Sequence, residues 1–473
     1  MQLASTLIDS ILSGEIKSGN KLPSVRQLVA QTGYAKNTVI RALNELESSG
    51  YIESKPRQGF FVSLANTKHN PPAASDTVLA PNEVNLPELF HRTMLNGAAF
   101  DIAPKSTDKE TTGQIPELIK CITRVQKQSV ANNALYYDIP DGDLSLKEQI
   151  IERYKERSLP MNDNYLCITS GCQNALFLAL SVCCKPGDTV VVESPGFYGV
   201  LQLLEQLQLN IIEAPSSSES GLNLDILSEL LLQYKISACV VTPNFATPTG
   251  ALMCEKNKKS LIALANLHQF TLVEDDIYGE LGFQGKTTPL SNYDTQGRVI
   301  LCGSFSKSLS RALRLGWLYS KRWAAKVPRM KLATQLAGSK AIQKGVAEFI
   351  KTGYYRRHLQ SLNIQLIKNR NQLISTLLQY WPSDIKYSFP QGGLCLWVEL
   401  NQHVDGDRLY SAMAKKGIIV TPGSLFSYSP TYKHCIRLSY SHPVIGERLK
   451  SLRVLGSTIK RLSSKEQPQY KQE

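Results

Sequence analysis

The first sixty residues contain three short stretches of helical periodicity followed by the pattern of a β-hairpin. Apolar side chains recur at helical spacing over residues 3–12, and Ser24 with Gln27 has the spacing of a capping box at the start of a second helix. A third helix is predicted over residues 37–46, and two short strands flank the turn Pro56-Arg57-Gln58-Gly59. The inward-facing positions of the third helix are Val39, Ala42, Leu43 and Leu46.

The rest of the chain alternates apolar strands with helical patterns, as parallel α/β domains do. Residues 65–84 are polar, contain adjacent prolines and lack an apolar period, which is typical of a linker. The clearest strand candidates are residues 188–193, 238–242, 270–274 and 299–302. The predicted parts are an N-terminal unit at 1–64, a linker at 65–84, an α/β unit at 85–460 and a frayed tail at 461–473.

Three helices and a hairpin in this order predict a winged helix-turn-helix that binds double-stranded DNA. The third helix would enter the major groove with its N-terminal residues nearest the base edges, and the wing tip would add a flanking contact. The alternative is a protein-docking unit of three helices whose charges are merely solvated. The candidate DNA-contacting residues are Arg26, Lys36, Asn37, Thr38, Arg41, Arg57 and Gly59.

Three segments of this unit resemble the GntR-type winged helix. They are Gly19-Asn20-Lys21-Leu22-Pro23-Ser24-Val25-Arg26-Gln27-Leu28, then Asn37-Thr38-Val39, and then Gly59-Phe60-Phe61-Val62. One departure is Ala35, where members often have Ser or Thr, so one phosphate contact is lost. Because the resemblance extends over nearly sixty residues, it favours DNA binding over protein docking.

In the α/β unit, Lys307 lies just past the predicted strand 299–302, between groups that suit a phosphate. Ser304 and Ser306 offer hydroxyls, and Arg314 lies seven residues on, on the same face as Lys307 if the segment is helical. An isolated lysine of this kind is usually solvated. An amine accompanied by phosphate donors instead suggests a phosphorylated aldehyde held as a Schiff base.

Other strand ends supply the remaining parts of such a site. A phosphate suits a helix N-terminus, and Thr169-Ser170-Gly171-Cys172-Gln173 leads from a strand into a helix. A pyridine nitrogen suits a carboxylate, and Glu274-Asp275-Asp276 ends an apolar strand, although a helix N-cap is the alternative role for one such acid. Pro195-Gly196-Phe197-Tyr198-Gly199 supplies an aromatic face. The ends of successive strands are where α/β sheets bind ligands.

With these segments, residues 85–460 resemble the fold-type I aminotransferases, and their fusion to a GntR winged helix is similar to the MocR-type regulators. The resemblance implies an α/β fold with a large, mixed, mostly parallel sheet, helices on both faces, and a smaller C-terminal α/β domain. It implies pyridoxal 5′-phosphate as cofactor, with Lys307 as the aldimine lysine. Asp275 would pair with the pyridinium nitrogen, Tyr278 would bond the ring hydroxyl, and Phe197 would stack on the ring.

The same resemblance implies roles for residues around the phosphate and the substrate. Tyr137 matches a tyrosine that reaches the phosphate of the partner subunit, which implies a homodimer. Arg437 matches the arginine that binds the substrate carboxylate. The residues expected around the phosphate are Cys172, Gln173, Ser304, Ser306 and Arg314.

One departure lies in Thr247-Pro248-Thr249-Gly250, where family enzymes usually carry Asn-Pro-Thr-Gly. The missing asparagine would hydrogen-bond the ring hydroxyl. Thr247 can donate one bond from a shorter reach, so we expect cofactor binding to survive and turnover to be less efficient.

Composition excludes several other classes of protein. Hydrophobic residues make up 42% of the chain and charged residues 20%, which is typical of a globular protein and not of a disordered or collagen-like one. The ten cysteines show no Cys-x-x-Cys spacing, which favours a reducing compartment without a metal site. The best apolar run, residues 175–184, is far shorter than the ~18 residues that cross a bilayer. We expect a cytoplasmic protein with no membrane partner.

The net charge of +13 favours a polyanionic partner. Its largest excess lies at residues 321–371, which hold twelve Lys and Arg against Glu348 alone. We interpret this stretch as a solvated helical surface; a second nucleic-acid contact is the alternative.

Three functions are compatible with this combination of domains. The first is a transcriptional regulator that senses an amino acid, an amine or the cofactor through aldimine exchange at Lys307, with weak or latent transaminase activity. The second is an active aminotransferase with an accessory DNA-binding domain, and the third is a cofactor-free dimerisation scaffold. The winged helix favours the first, and the intact Lys307 disfavours the third. In the regulator, we expect the two winged helices of a dimer to hang on flexible linkers.

Overall fold

A computed structural model describes most of the chain. The described residues are 2–13, 15–17, 19–48, 50–55, 58–63, 71–75, 77–86, 90, 102, 114–131 and 139–464. Within those ranges, every helix is too short or too polar to cross a membrane.

The N-terminal elements form a winged helix, as the sequence predicts. The predicted capping box is confirmed, since the Gln27 N–H donates to Ser24 Oγ and the Ser24 N–H donates to the Gln27 side chain at 2.8 Å. Gly33, with a φ of 73°, ends the second helix. The predicted inward positions of the third helix are buried in a core shared by all three helices. The elements are α1 (Gln2–Leu12), α2 (Val25–Thr32), α3 (Lys36–Ser48), β1 (Ile52–Lys55) and β2 (Gly59–Val62), with β1 and β2 antiparallel.

The large domain is built on a nine-stranded, mostly parallel sheet in the order β3-β6-β5-β8-β9-β10-β11-β4, with β7 added beside β6. Strands β5, β6, β8, β9 and β10 pair in parallel, whereas β3, β7 and β11 are antiparallel to their neighbours. The strands are β3 (Asn82–Glu83), β4 (Leu166–Thr169), β5 (Thr189–Ser194), β6 (Asn210–Ser217), β7 (Gly221–Leu222), β8 (Ala238–Val241), β9 (Thr271–Asp275), β10 (Val299–Ser304) and β11 (Gly316–Tyr319).

Helices cover both faces of this sheet. The helices are α4 (Ile115–Ala131), α5 (Leu144–Lys155), α6 (Cys172–Cys183), α7 (Tyr198–Gln206), α8 (Leu224–Gln233), α9 (Glu255–His268), α10 (Lys326–Thr334), α11 (Lys340–Lys351) and α12 (Tyr354–Tyr380). Strand β5 shows why both faces need helices. Val190 and Val192 pack with α6 and α7 on one face, while Val191 packs with α8 and α9 on the other. Successive side chains of a strand point to opposite faces, so a continuous apolar run needs cover on both.

The C-terminal part is a smaller domain around a four-stranded antiparallel sheet in the order β12-β13-β15-β14. Its segment 427–429 is held against the large sheet, because the Tyr428 and Ser429 N–H groups donate to Glu213 at 2.8 and 2.9 Å. Its elements are β12 (Lys386–Tyr387), β13 (Cys395–Glu399), α13 (Gly406–Ala414), β14 (Thr421–Pro422), β15 (Cys435–Ser439) and α14 (Gly446–Ser464).

The basic residues of the stretch 321–371 lie in and around α10, α11 and α12. All of them are exposed except Lys331 and Arg370, which are 1% and 0% exposed. The predicted solvated surface is therefore correct for most of the stretch, and Arg370 is a buried charge that needs its own explanation.

Candidate functional site

Lys307 lies in the turn after β10, at the edge of the sheet where β9 also ends. Because β9 and β10 are parallel, with Cys302 opposite Asp275, the segments that follow them emerge side by side. Loss of water around the amine, together with the charges of Arg311 and Arg437, lowers the pKa of Lys307 to about 7. A large share of this amine is therefore neutral and nucleophilic near neutral pH.

The two serines of Ser304-Phe305-Ser306-Lys307 have different roles in this turn. Ser304 Oγ is buried and lies 2.9 Å from both Ser306 Oγ and Leu315 O, and it accepts a bond from the Ser306 N–H at 3.0 Å. Ser304 thus shapes the turn, while the half-buried Ser306 carries the more accessible hydroxyl.

Arg314 does not share a helical face with Lys307, so that condition of the prediction is wrong. Ser310 caps a single 3₁₀ turn at Arg311–Leu313, and Arg314 then adopts a left-handed conformation with a φ of 47° before β11 begins. The side chain still arrives beside the start of α6, where Arg314 Nη2 donates to Ser170 O at 3.0 Å.

The N-terminus of α6 forms a cradle for an anion. Its N-cap, Gly171, has a φ of 93°, and no side chain caps the first turn. A Cβ added at Gly171 would lie 2.8 Å from Arg314 Nη2. Helix N–H groups and a guanidinium therefore converge on a space that only glycine leaves open.

The side chains of Cys172 and Gln173 are used by neighbouring elements. Cys172 Sγ donates to Asp275 Oδ1 at 3.2 Å, and Gln173 Nε2 donates to Gly199 O at 2.8 Å. Since these side chains are occupied, the main-chain N–H groups of the two residues are the ones that a phosphate would meet.

Asp275 lies at the end of β9 and is buried. Its Oδ1 accepts hydrogen bonds from Cys172 Sγ and from the Ile277 N–H, both at 3.2 Å. Burial raises the pKa of Asp275 to about 6, while these hydrogen bonds oppose the rise. A cation beside Asp275 would restore the ionised form, which suits a protonated ring nitrogen.

Two aromatic side chains stand near this end of the sheet. Phe197 is half-buried just before α7, and its ring centroid lies 4.8 Å from that of Tyr198. Tyr278 follows β9, and burial raises the pKa of its hydroxyl, which is therefore a hydrogen-bond donor at neutral pH.

Thr247 and Arg437 come from opposite sides of the two-domain boundary. Thr247 is buried, with its Oγ1 3.5 Å from Cys395 Sγ at the start of β13. Arg437 lies on β15, also buried, and its Nη2 donates to Thr421 Oγ1 at 3.5 Å. Its guanidinium also interacts electrostatically with Lys307.

Two residues near the site, Cys395 and Arg311, were missed in the sequence, and Tyr198 was noted only as part of an aromatic face. Cys395 interacts electrostatically with Lys307, as does Arg311, and Tyr198 interacts with Arg437. Arg311 lies between Lys307 and Arg314, and Tyr198 lies within the marked aromatic segment, so both positions could have been found from their neighbours. No sequence pattern pointed to Cys395, because it lies next to Thr247 only once β13 has packed against the large domain.

A buried ion pair beside Asp275 was also missed. Arg157 Nη1 and Nη2 donate to the two carboxylate oxygens of Asp276 at 2.5 and 2.8 Å, and Asn244 Nδ2 and Tyr154 Oη add bonds at 3.0 and 2.9 Å. This network orients the chain directly after Asp275.

The candidate DNA-contacting residues that the structure describes are all exposed on the winged helix. Lys36, Asn37 and Thr38 form the exposed first turn of α3, and Arg41 lies one turn after Asn37 on the same exposed face. Arg26 is exposed on α2, and Gly59 is exposed at the start of β2 with a φ of 100°. Arg57 and Tyr137 lie outside the described residues.

The donor set fits pyridoxal phosphate: a neutral amine, a buried carboxylate and a cradle for an anion surround one end of the sheet. An exposed helix with a basic N-terminal turn stands in the same chain. Fold and site together define a winged-helix regulator with an aminotransferase-like domain.

Comparison with known proteins identifies the family. Models of gntR-family bacterial regulatory proteins and of aminotransferase class I and II match residues 1–62 and 106–445. The chain is 32% identical to the uncharacterized HTH-type transcriptional regulator YjiR of Escherichia coli K12, over 97% of this chain and 98% of that protein. The chain belongs to the aminotransferase class I and II family and has the domain architecture of the MocR-type regulators.

Other similar proteins are named as aminotransferases. The chain is 30% identical to aromatic-amino-acid aminotransferase 1 of Thermococcus litoralis, over 73% of this chain and 84% of that protein. The kynurenine aminotransferase of Pyrococcus horikoshii, solved in complex with PMP, superimposes with a TM-score of 0.70 at 28% identity, over 78% of this chain and 94% of that one. Pyridoxal 5′-phosphate is the cofactor of this family.

Proposed function

We propose that this protein is a transcriptional regulator that senses an amino acid, an amine or pyridoxal phosphate at Lys307 and adjusts its binding to operator DNA in the cytoplasm. The observation that carries the proposal is the lowered pKa of Lys307, beside an uncapped helix N-terminus, in a chain that begins with a winged helix. An amine that is neutral near pH 7 can be exchanged for an incoming amine without a strongly basic medium.

Bound pyridoxal phosphate supplies an aldehyde for amines and an electron-withdrawing ring. Lys307 would hold that group, and Asp275 would keep the ring nitrogen protonated. The start of α6, Ser306 and Arg314 would bind the phosphate. Phe197 would cover the ring, and Tyr278 would donate to its hydroxyl.

The effector is expected to be recognised through a carboxylate. Arg437 is buried on the small domain and interacts electrostatically with Lys307, so an amino acid that replaces the lysine can reach the guanidinium. Tyr137 would complete the partner subunit's phosphate site in a homodimer.

The second candidate function is an active aminotransferase with an accessory DNA-binding domain. The observation that favours it is the family match over residues 106–445, together with a full donor set for the cofactor. Lys307, once replaced by the substrate amine, could then move a proton at the substrate carbon. The threonine at position 247 argues for slow turnover, because its side chain is shorter than the usual asparagine and already faces Cys395.

The decisive experiment titrates purified full-length protein with amino acids and simple amines while recording its visible absorption spectrum. Operator affinity is then measured with and without each compound that changes the spectrum. We expect at least one such compound to change operator affinity. Arg437→Ala should weaken the response to carboxylate-bearing compounds, whereas Arg453→Ala, a change on the exposed face of α14, should not.

Lys307→Ala should remove the covalent link that borohydride fixes in the native protein. Steady transamination with unchanged operator affinity for every amine that binds would refute the regulator and favour the enzyme.

A further inference from the structure

The DNA-binding domain contacts the large domain, although a flexible tether was expected. Gly50 lies in the turn between α3 and β1 and is buried. Asn371 Nδ2, on α12, donates to Gly50 O at 3.1 Å across 321 residues of sequence. A Cβ added at Gly50 would lie 2.5 Å from Arg370 Nη2 and 3.2 Å from Ile367 Cγ2. The turn therefore fits closely against one short segment of α12, residues 367–371, which we call the α12 socket.

Arg370, at the centre of the α12 socket, is a buried cation with unusual partners. Its Nε and Nη2 donate to Asn371 Oδ1 at 3.1 and 2.9 Å, and its Nη1 donates to Pro390 O at 2.6 Å. The rings of Phe283 and Phe389 lie 5.2 and 4.2 Å from the guanidinium carbon. Within the described ranges no carboxylate forms an ion pair with it.

Burial lowers the pKa of Arg370 to about 10. A buried charge without a counter-ion is costly, and it is retained in a protein only where the surrounding contacts compensate for lost water. Tyr51, next to Gly50, interacts electrostatically with Arg370, so the winged helix is part of what covers it. Release of the winged helix would let water reach the guanidinium and would remove part of the cost of its burial.

The guanidinium of Arg370 is linked through Pro390 to the segment 247–250 of the candidate cofactor site. Pro390, whose carbonyl it holds, packs against Gly250, where an added Cβ would lie 2.5 Å from Pro390 Cβ. Gly250 ends the segment Thr247-Pro248-Thr249-Gly250, and Thr247 faces Cys395. A shift in this segment would therefore reach Arg370 through two contacts, the one between Gly250 and Pro390 and the one between Pro390 O and Arg370.

We propose that the α12 socket is the docking surface for this chain's own DNA-binding domain, and that its occupancy is coupled to the state of the cofactor site through Arg370, Pro390 and Gly250. The coupling rests on the proposed function, whereas the docking itself does not. Because coupling between two sites is reciprocal, bound cofactor must change the affinity for DNA by the same factor by which bound DNA changes the affinity for cofactor.

Docking is tested on full-length protein by amide hydrogen exchange in residues 46–52 and 367–371. Gly50→Ala and Asn371→Ala should raise exchange in both segments. Gly33→Ala is the matched control, because Gly33 has a φ of 73° in the same domain but no atom within 4 Å of its added Cβ. It should strain the winged helix without changing exchange in residues 367–371. Unchanged exchange at 367–371 in Asn371→Ala, or equal changes in Gly33→Ala and Gly50→Ala, would overturn the docking surface.

Coupling is tested with pyridoxal phosphate itself as the probe. The affinity for a DNA duplex that the native protein selects from a random pool is measured before and after cofactor removal. We expect a ratio of affinities in the range of about 5–150-fold for the native protein and near one for Asn371→Ala. A native ratio above one that persists in Asn371→Ala would overturn the coupling path and leave the regulator intact. A native ratio of one would overturn both the coupling and a regulator that responds to its cofactor.

Discussion

The lowered pKa of Lys307 leads to a sharp prediction about how the protein captures its cofactor. Only the neutral amine reacts with an aldehyde, so capture should follow the neutral fraction of Lys307. With a pKa of about 7, that fraction is about one tenth at pH 6 and about nine tenths at pH 8. Capture should therefore rise about tenfold between these values and then level off. An ordinary lysine, with a pKa near 10.4, would keep rising about tenfold per pH unit up to pH 10.

The assay removes the cofactor, adds pyridoxal phosphate at each pH and fixes the covalent link with borohydride for quantification. A parallel series with a free lysine derivative corrects for titration of the cofactor. Arg311→Gln removes a positive charge that lowers the pKa of Lys307, so its midpoint should move to higher pH. Lys321→Gln, an exposed change elsewhere, should leave the midpoint in place. If cofactor capture by the native protein still rises above pH 9, the pKa of Lys307 is not lowered and its amine is not shielded from water as in the structure.

Three further predictions concern stability and DNA binding. Arg157→Ala should lower the free energy of unfolding by ~3–5 kcal/mol in urea titrations, because it strands the buried carboxylate of Asp276; a loss below about 1 kcal/mol would mean that water enters the network. Ser24→Ala removes the capping box and should destabilise α2 by ~1 kcal/mol, measured by hydrogen exchange within that helix, and unchanged protection would contradict the cap. Arg41→Ala should reduce the salt dependence of operator binding by about one unit of slope, whereas Asn37→Ala should change base preference. Equal losses on all DNA sequences from both changes would argue against base reading by α3.

Local sequence patterns were sufficient to predict the winged helix. Its helices are short and amphipathic, its cap joins residues three apart, and its hairpin joins strands separated by one turn. Each of these signals depends on neighbours in the chain, and the structure has each where the pattern predicted it. The parallel strands of the large domain were predictable for the same reason, since a strand buried on both faces is a continuous apolar run.

The sequence by itself also marked Lys307, Asp275 and the start of α6 as parts of one site, because parallel strands deliver their ends to one edge of the sheet. Only the tertiary structure decided how those parts meet. The left-handed turn at Arg314, the bond from Cys172 to Asp275 and the approach of Cys395 to Thr247 depend on segments that are far apart in the chain. Arg370 shows the difference most clearly. In the sequence it is one of twelve basic residues in a solvated stretch, and its burial arises because the winged helix, the segment around Pro390 and the ring of Phe283 pack against it.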